Sequence, residues 1–183
     1  SSVTSMDSMF KDSLFRGDLS QWNVSSVTDM DNMFYDAPLF NGDISQWDVS
    51  SVTSMYEMFY GASTFNVDIS QWDVSSVASM NRMFTHADAF NTDIGQWNVS
   101  SVGNMEFMFA HMDIFDGDLS QWDVSAVTDM SRMFYDAGAF NGDLGQWNVS
   151  FVTDMSEMFL NSMLSTENYD ALLQGWSSQS LQS

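Results

Sequence analysis

The sequence predicts an α/β solenoid in which each 25-residue repeat supplies one short parallel strand and one short helix. Two recurring residues lead to this prediction. Tryptophan recurs at a constant step of 25 residues, at Trp22, Trp47, Trp72, Trp97, Trp122 and Trp147. Methionine keeps the same step, at Met30, Met55, Met80, Met105, Met130 and Met155. A fixed period of this length is typical of repeats that stack and bury a shared core.

The helix of each repeat is predicted from the pattern Val-x-x-Met-x-x-Met-Phe. The seven copies of this pattern begin at Val3, Val27, Val52, Val77, Val102, Val127 and Val152. In the third copy the apolar residues stand at i, i+3, i+4 and i+7: Met55, Met58, Phe59 and Ala62. This spacing places them on one face of a helix of about two turns. Ser, Asp or Asn always precedes the first Met, as an N-cap residue would. So short a helix must pack on its neighbours.

The strand is predicted over residues 45–49. Trp47 and Val49 alternate there with Gln46 and Asp48, a period of two that turns the apolar side chains inward and the polar ones outward. A Phe-Asn-Gly-Asp turn signal precedes it. Strands of successive repeats would then lie about 4.8 Å apart along one side of the solenoid, with the helices along the other.

Three segments follow from these patterns. The repeats occupy residues 1–164 and enter the pattern in its middle, so we expect the chain to be cut from a longer array. Residues 165–176 are predicted to form an amphipathic helix that covers the open face of the last repeat, as the ends of such arrays require. Residues 177–183 are rich in Ser and Gln, and we expect them to be frayed.

The charge of the chain restricts its partners. Twenty-five acidic residues face four basic ones (Lys11, Arg16, Arg82 and Arg132), giving a net charge of −21. Such a field repels nucleic acid and anionic lipid and favours cations or basic proteins. Because the chain has no Cys, no disulfide or thiolate metal site is possible. No apolar run is long enough to cross a bilayer, so we expect no membrane insertion within this segment.

The repeat carries a resemblance to a known family. Residues 40–59 read Phe-Asn-Gly-Asp-Ile-Ser-Gln-Trp-Asp-Val-Ser-Ser-Val-Thr-Ser-Met-Tyr-Glu-Met-Phe. This unit resembles the repeat of BspA-like surface proteins and mycoplasmal lipoproteins, and residues 169–176 resemble the usual ending of such arrays. The resemblance covers residues 1–176. It implies a leucine-rich-repeat-like solenoid at the cell surface or outside the cell, with adhesion or protein interaction as its role and no catalytic residues.

One Asp of each turn recurs without exception, which makes it a candidate site. This turn Asp row comprises Asp18, Asp43, Asp68, Asp93, Asp118 and Asp143. Like charges repeated at about 5 Å repel one another, so some favourable interaction of the carboxylates must offset this repulsion. They could accept backbone amides and tie each turn to the next coil, as Asp does in turns. Alternatively they could offer oxygen ligands to Ca²⁺ and make the protein a Ca²⁺-stabilised structural spacer.

A second candidate site projects outward from the predicted strand. We call it the polar strip: Gln46, Asp48, Gln71, Asp73, Gln96, Asn98, Gln121 and Asp123. Its glutamines could bond to one another along the stack as amide ladders do. Otherwise the strip is a flat polar surface for a protein or a glycan. We expect this face to carry binding in an adhesion or protein-interaction scaffold.

A regular array of hydroxyls around Ser50, Ser51 and Thr53 suggests ice binding as a distant alternative. Ala78 and Gly103 interrupt its Thr column, and turn hydrogen bonds explain hydroxyls at these places more simply. The array is therefore expected to be structural.

Two histidines, His86 and His111, occupy equivalent places in adjacent repeats and are expected to stack. Two imidazoles without a third ligand make a poor metal site, so a solvated pair is expected. The sequence offers no nucleophile with a plausible base and no glycine-rich phosphate loop. We therefore expect the protein not to be an enzyme and to need no cofactor, Ca²⁺ excepted.

Overall fold

A computed structural model describes residues 2–179 and shows seven repeats lying one upon the next in register. Isolated parallel β-bridges join equivalent residues of neighbouring repeats: Ser5 to Asp29, Asp29 to Ser54, Ser54 to Ser79, Ser79 to Asn104, Asn104 to Asp129, and Asp129 to Asp154. Within this described part the chain has one helix, α1 (Thr166–Ser177), and its only β-pairing consists of these single bridges. Each repeat is therefore built mainly from turns.

The prediction of an α/β solenoid with a strand and a helix in every repeat is wrong. In the segment predicted as a helix, Asn32 and Asp36 have φ angles of 54° and 46°. These left-handed residues interrupt an α-helix. The same two places have positive φ in every repeat: Ser8 and Asp12, Glu57 and Gly61, Arg82 and His86, Phe107 and His111, Arg132 and Asp136, and Glu157 and Asn161.

The segment that replaces the helix is a nine-residue row that bonds to the next repeat. We call residues 4–12, 28–36, 53–61, 78–86, 103–111, 128–136 and 153–161 the ladder rows. Between the second and third rows, N–H groups of Met30, Asn32, Phe34 and Asp36 donate to carbonyl oxygens of Ser54, Tyr56, Met58 and Tyr60 at 2.7–3.2 Å. The N–H of Thr53 donates back to Thr28 at 2.8 Å. All six junctions repeat this arrangement. Backbone groups that a helix would pair internally are thus paired across repeats.

The segment predicted as a strand is a pair of turns. The N–H of Trp47 donates to the carbonyl oxygen of Ile44 at 3.1 Å, and that of Val52 donates to Val49 at 2.9 Å. The alternation of exposure is nevertheless as the sequence predicts, since Trp47 and Val49 are buried while the polar residues beside them are exposed. The strand prediction fails because the side chain of Asp48 accepts the Ser50 amide at 3.2 Å and turns the chain there.

The core consists of columns of equivalent side chains. The residues at i, i+3, i+4 and i+7 in the third repeat (Met55, Met58, Phe59 and Ala62) are fully buried, as their spacing predicts. Phe34 and Phe59 stack with their ring centroids 5.6 Å apart and their planes within 4°. This phenylalanine column runs from Phe10 to Phe159. Each ring between these two ends is therefore covered by the repeats on either side of it, as the period of the sequence requires.

Helix α1 packs on the last repeat through Trp176, whose Nε1 donates to the carbonyl oxygen of Leu144 at 3.1 Å. Ser165 caps it by accepting the N–H of Asn168 at 3.2 Å, and Leu172 and Trp176 are buried. In the segment expected to be frayed, the side chain of Gln179 accepts the Val149 N–H at 2.7 Å and donates to Trp147 at 2.8 Å. Residues 180–183 of that segment lie outside the described part. No helix within residues 2–179 has the length and apolar character needed to span a bilayer.

Candidate functional site

The polar strip is exposed along consecutive repeats. Its glutamines bond locally instead of forming a ladder along the stack. Nε2 of Gln46 donates to Oγ of Ser45 at 3.3 Å, and Nε2 of Gln71 donates to Oγ of Ser70 at 3.2 Å. Before Gln96 the serine is replaced by Gly95, so this hydroxyl acceptor is absent. The local bonds leave the Gln side-chain oxygens free to accept hydrogen bonds from a ligand.

The acidic members of the strip are fixed by the turns that follow them. Oδ1 of Asp73 accepts the Ser75 hydroxyl at 2.6 Å and the Ser75 amide at 3.1 Å. These two bonds favour the charged form and lower the pKa of the Asp73 carboxyl. The same cause lowers the pKa of Asp48 and Asp123. The strip therefore presents carboxylates that are ionised and held in one orientation.

The turn Asp row bonds within its own turns. Oδ1 of each member accepts the N–H two residues later, at 2.8–3.0 Å: Asp18 from Ser20, Asp43 from Ser45, Asp68 from Ser70, Asp93 from Gly95, Asp118 from Ser120, and Asp143 from Gly145. The amide, followed by the serine hydroxyl, lowers the pKa of Asp18, Asp43 and Asp68. These bonds agree with the structural reading of the row. Within residues 2–179, no group of three or more His, Cys, Asp or Glu is placed to hold a metal ion.

The two candidate sites meet in one groove. It has a volume of about 370 Å³ and is lined by Asp68, Ser70, Gln71, Thr92, Asp93 and Gln96. Sequence reasoning missed Thr92, whose Oγ1 is shielded from solvent and has no hydrogen-bond partner within the described residues. The equivalent residues are Gly17, Gly42, Val67, Gly117 and Gly142, so Thr92 brings the one hydroxyl at this place. The threonine at a place where the other repeats have Gly or Val was the signal by which the sequence could have identified Thr92.

The threonine hydroxyls considered for ice binding donate hydrogen bonds to the preceding repeat. Oγ1 of Thr53 donates to the carbonyl oxygen of Thr28 at 3.0 Å, and Oγ1 of Thr153 donates to that of Thr128 at 2.9 Å. Each of these hydroxyls thus bonds to the same carbonyl oxygen as the N–H of its own residue and reinforces that ladder bond. This is the structural role that the sequence favours for the array.

The two histidines stack as expected, with ring centroids 4.3 Å apart and planes within 6°. Burial, followed by the nearby imidazole of His111, lowers the pKa of His86. Nδ1 of His111 lies 3.2 Å from Oδ2 of Asp136. The pair therefore contacts one carboxylate of the next repeat.

On the same side of the molecule lies a cluster that sequence reasoning did not assemble. The guanidinium groups of Arg82 and Arg132 lie 4.8 and 5.3 Å from the ring centroid of Phe107. Glu57, only 8% exposed, lies 3.5 Å from Arg82. These residues occupy places that vary between repeats, and only the ladder register brings them together.

Comparison with known proteins assigns the chain to a family. A family model described as "Mycoplasma protein of unknown function, DUF285" matches residues 1–92 and 67–176, which together cover all seven repeats and nearly all of α1. No curated protein and no solved structure matches the chain. The family match confirms that this is a repeat protein related to a mycoplasmal repeat family, as the sequence predicts. The narrower resemblance to BspA-like surface proteins stays a prediction.

Proposed function

The chain belongs to the DUF285 family of mycoplasma proteins of unknown function, and we propose that it is a non-catalytic scaffold that binds a basic protein surface through its polar strip. The observation that carries this proposal is the strip itself. Equivalent Gln and Asp or Asn side chains are exposed in consecutive repeats, and their turns fix the acidic ones. Groups that are already ordered lose little conformational entropy when a partner binds.

The charge of the molecule supports a basic partner. The chain carries a net charge of −21, and the turn Asp row adds exposed carboxylates beside the strip. Complementary charge accelerates association and selects the partner, and both effects weaken as salt increases. The groove lined by Gln71, Asp93 and Gln96 offers a recess on this face for a Lys or Arg side chain.

The absence of catalysis is part of the proposal. A general acid needs a carboxyl whose pKa is raised towards neutrality, usually by burial. Asp48, Asp73 and Asp123 are exposed, and hydrogen bonds lower their pKa instead. Such carboxylates suit electrostatic recognition better than proton transfer.

The proposed setting is the cell surface or the extracellular space, with adhesion as the biological role. This part of the proposal follows from the resemblance of the repeat to BspA-like surface proteins. A rod of repeats displaying one strip many times suits contact with an extended partner, because equivalent sites recur along a single face.

The test compares two variants of equal charge. The strip variant carries Asp48→Asn, Asp73→Asn and Asp123→Asn, which keep the turn acceptor and remove three charges. The control carries Asp12→Asn, Asp88→Asn and Asp113→Asn, which are exposed outside the strip. Binding of immobilised chain to lysozyme, a basic probe protein, is measured by surface plasmon resonance. We expect the strip variant to lose about tenfold in affinity, or about 1.4 kcal/mol, and the control to lose far less.

Equal losses in both variants would show that binding follows overall charge, and the strip would then not be the site. If the chain binds immobilised glycans but not lysozyme, and the strip variant loses that binding while the control keeps it, then the partner is a glycan and not a protein.

A further inference from the structure

The eighth place of the ladder rows holds a tyrosine in the second, third and sixth rows. Its occupants along the seven rows are Lys11, Tyr35, Tyr60, Thr85, Ala110, Tyr135 and Leu160. Tyr35 and Tyr60 stack, with ring centroids 4.6 Å apart and planes within 5°. Thr85 and Ala110, both small and buried, follow them. This tyrosine column therefore lacks two phenol rings in the middle of the chain.

A groove lies at the first of these two places. It has a volume of about 180 Å³ and is lined by Tyr60, Arg82, Thr85, His86, Phe107 and His111. Sites for drug-sized molecules usually measure about 300–1,000 Å³, so this groove suits a single side chain. The hydroxyl of Thr85 donates to the carbonyl oxygen of Phe107 at 2.6 Å and therefore needs no bond from a ligand.

Four of the six lining side chains are aromatic, and contacts among their neighbours hold them in place. His86 stacks on His111 and meets the ring of Tyr60 edge to face, with centroids 5.9 Å apart. The ring of Phe107 lies 4.8 Å from the guanidinium group of Arg82. Aromatic rings prefer stacked or edge-to-face partners at about 4.5–7 Å. Walls of this kind favour an aromatic side chain over an aliphatic one.

The polar groups of the groove suit a neutral ring that carries a hydroxyl. Partial burial lowers the pKa of His86, so its imidazole is neutral at pH 7.5 and keeps one nitrogen that can accept a hydrogen bond. Within residues 2–179 the ring nitrogens of His86 make no hydrogen bond. Arg82 already lies 3.5 Å from Glu57 and 3.8 Å from Glu106, and these carboxylates repel an anionic ligand. A phenol fits this setting better than a phosphorylated ring.

We propose that this groove binds a tyrosine side chain of a partner protein. The repeat itself identifies the occupant, because the same place of the row carries Tyr35, Tyr60 and Tyr135 elsewhere. The partner's ring takes the space of the tyrosine that Thr85 replaces, and its hydroxyl donates to His86. No lining residue of the groove belongs to the polar strip, so this site can be tested independently of the strip.

A tyrosine bound in this way serves as the anchor of a larger contact. Tyrosine is among the residues that carry most of the binding energy at protein interfaces, where it fills a pocket near the centre. One side chain alone binds weakly, with a dissociation constant on the order of 1 mM. That affinity is enough to measure the groove with a small probe.

The test follows the proton NMR signals of the histidine rings during titration with N-acetyl-tyrosinamide at pH 7.5. The chain has two histidines and both line the groove, so ring-current changes in their C–H signals report on this site. We expect saturable shifts with a dissociation constant on the order of 1 mM. N-acetyl-leucinamide, which has no aromatic ring, should bind about tenfold more weakly.

Two variants and a matched control locate the probe. Thr85→Tyr fills the groove with the residue of the neighbouring rows and should abolish the shifts. Ala126→Tyr adds the same side chain at an exposed place, where the last repeat has Phe151, and should bind like the wild type. Phe107→Asn removes one wall but suits the φ of 54°, as Asn32 does, and should weaken binding about fivefold.

Unchanged histidine signals at about 10 mM probe, equal affinity for the leucine probe, or wild-type binding by Thr85→Tyr would each overturn the proposal. Binding of 4-methylphenol without binding of N-acetyl-tyrosinamide would also overturn it, since the ligand would then be a free phenol. Near-ultraviolet circular dichroism checks folding. Should Thr85→Tyr unfold, Phe107→Asn decides, because wild-type affinity in that variant would exclude this groove.

Discussion

Nε1 of Trp72 donates a hydrogen bond of 3.1 Å to the carbonyl oxygen of Ile44, which lies in the preceding repeat. Trp47, Trp97, Trp122 and Trp147 make the same contact with the repeat before them, at 2.9–3.1 Å. Trp176 of α1 does so with Leu144 at 3.1 Å. These six indoles thus contribute both an apolar ring and a buried polar bond to the stack.

Replacing this donor should destabilise the protein. In Trp72→Phe, the carbonyl of Ile44 loses the indole donor and keeps the Trp47 N–H, so we expect the lost hydrogen bond to lower the free energy of unfolding by about 0.5–1.5 kcal/mol. Urea denaturation measures the loss. Trp22→Phe is the control, because the Trp22 indole is half-buried and donates to no residue of the described chain. Equal losses in both variants would mean that ring volume, and not the hydrogen bond, decides the effect.

The left-handed conformation of Asn32 reverses the effect expected of alanine. In a helix, Asn32→Ala would stabilise the protein by several tenths of a kcal/mol, because alanine has the higher helix propensity. With φ at 54°, alanine should instead cost about 1 kcal/mol, whereas Asn32→Gly should cost little. Thermal unfolding of the three proteins distinguishes the two conformations. A stabilising alanine would contradict the turn structure of the ladder row.

The turn Asp row is expected to work without Ca²⁺. Each carboxylate already accepts an amide of its own turn, and the row offers no cluster of ligands. Melting curves in excess Ca²⁺ and in chelator should therefore have the same midpoint. A site bound only in the folded state would stabilise by about 4 kcal/mol at a thousandfold excess over its dissociation constant. A clear rise in the midpoint with Ca²⁺ would restore the metal-stabilised spacer.

The histidine stack should make stability depend on pH. The pKa of His86 is lowered in the folded protein, so the unfolded chain binds a proton at a higher pH. Stability from the neutral imidazole is present above the ordinary pKa of about 6.5 and decreases as pH falls below it. His86→Asn should flatten this decrease between about pH 7 and 5, and Asn suits the φ of 58°. Parallel curves for the two proteins would exclude His86 as the cause.

A glycine in α1 permits its close approach to the last turn. A Cβ on Gly175 would collide with the carbonyl oxygen of Gly145. Gly175→Ala should therefore lower the free energy of unfolding by about 1–3 kcal/mol, although helix propensity alone predicts a gain. Gly103→Ala is the control, because a Cβ there meets nothing closer than 3.9 Å. A stabilised Gly175→Ala would show that α1 can move away from the repeats without loss.

The sequence allowed the buried side chains to be predicted but not the backbone that presents them. Met55 and Phe59 are buried because equivalent apolar residues recur in every repeat and pack together. That burial is expected whether the segment is a helix or a ladder row. The left-handed residues gave no reliable signal, since Arg82 and Phe107 occupy the same place as Asn32. Six sets of bonds between repeats offset the cost of those conformations, and such bonds are not visible within a single repeat.

The candidate site was predicted in part for a similar reason. Short-range turn chemistry is local, so residue type already offered the hydrogen bond from the Ser45 amide to Asp43 as one of the two possible roles of the turn Asp row. The groove containing Thr92 is formed by residues of two repeats, so one repeat alone does not reveal it. The Gln side chains donate to the serine beside them, whereas the sequence allowed equally a bond along the stack. Contacts between repeats need the register, which sequence spacing alone does not supply.

The ladder bonds also bear on how such a protein can evolve. Every junction joins equivalent atoms, and four of its five backbone bonds point the same way. Removing or duplicating one whole unit by unequal recombination would give each N–H left without a partner an identical carbonyl oxygen. The first two ladder rows begin 24 residues apart and the later ones 25, yet all make the same bonds, so a change of length is tolerated outside the row. The number of units is thus free to drift among descendants, while the length of the ladder row is not.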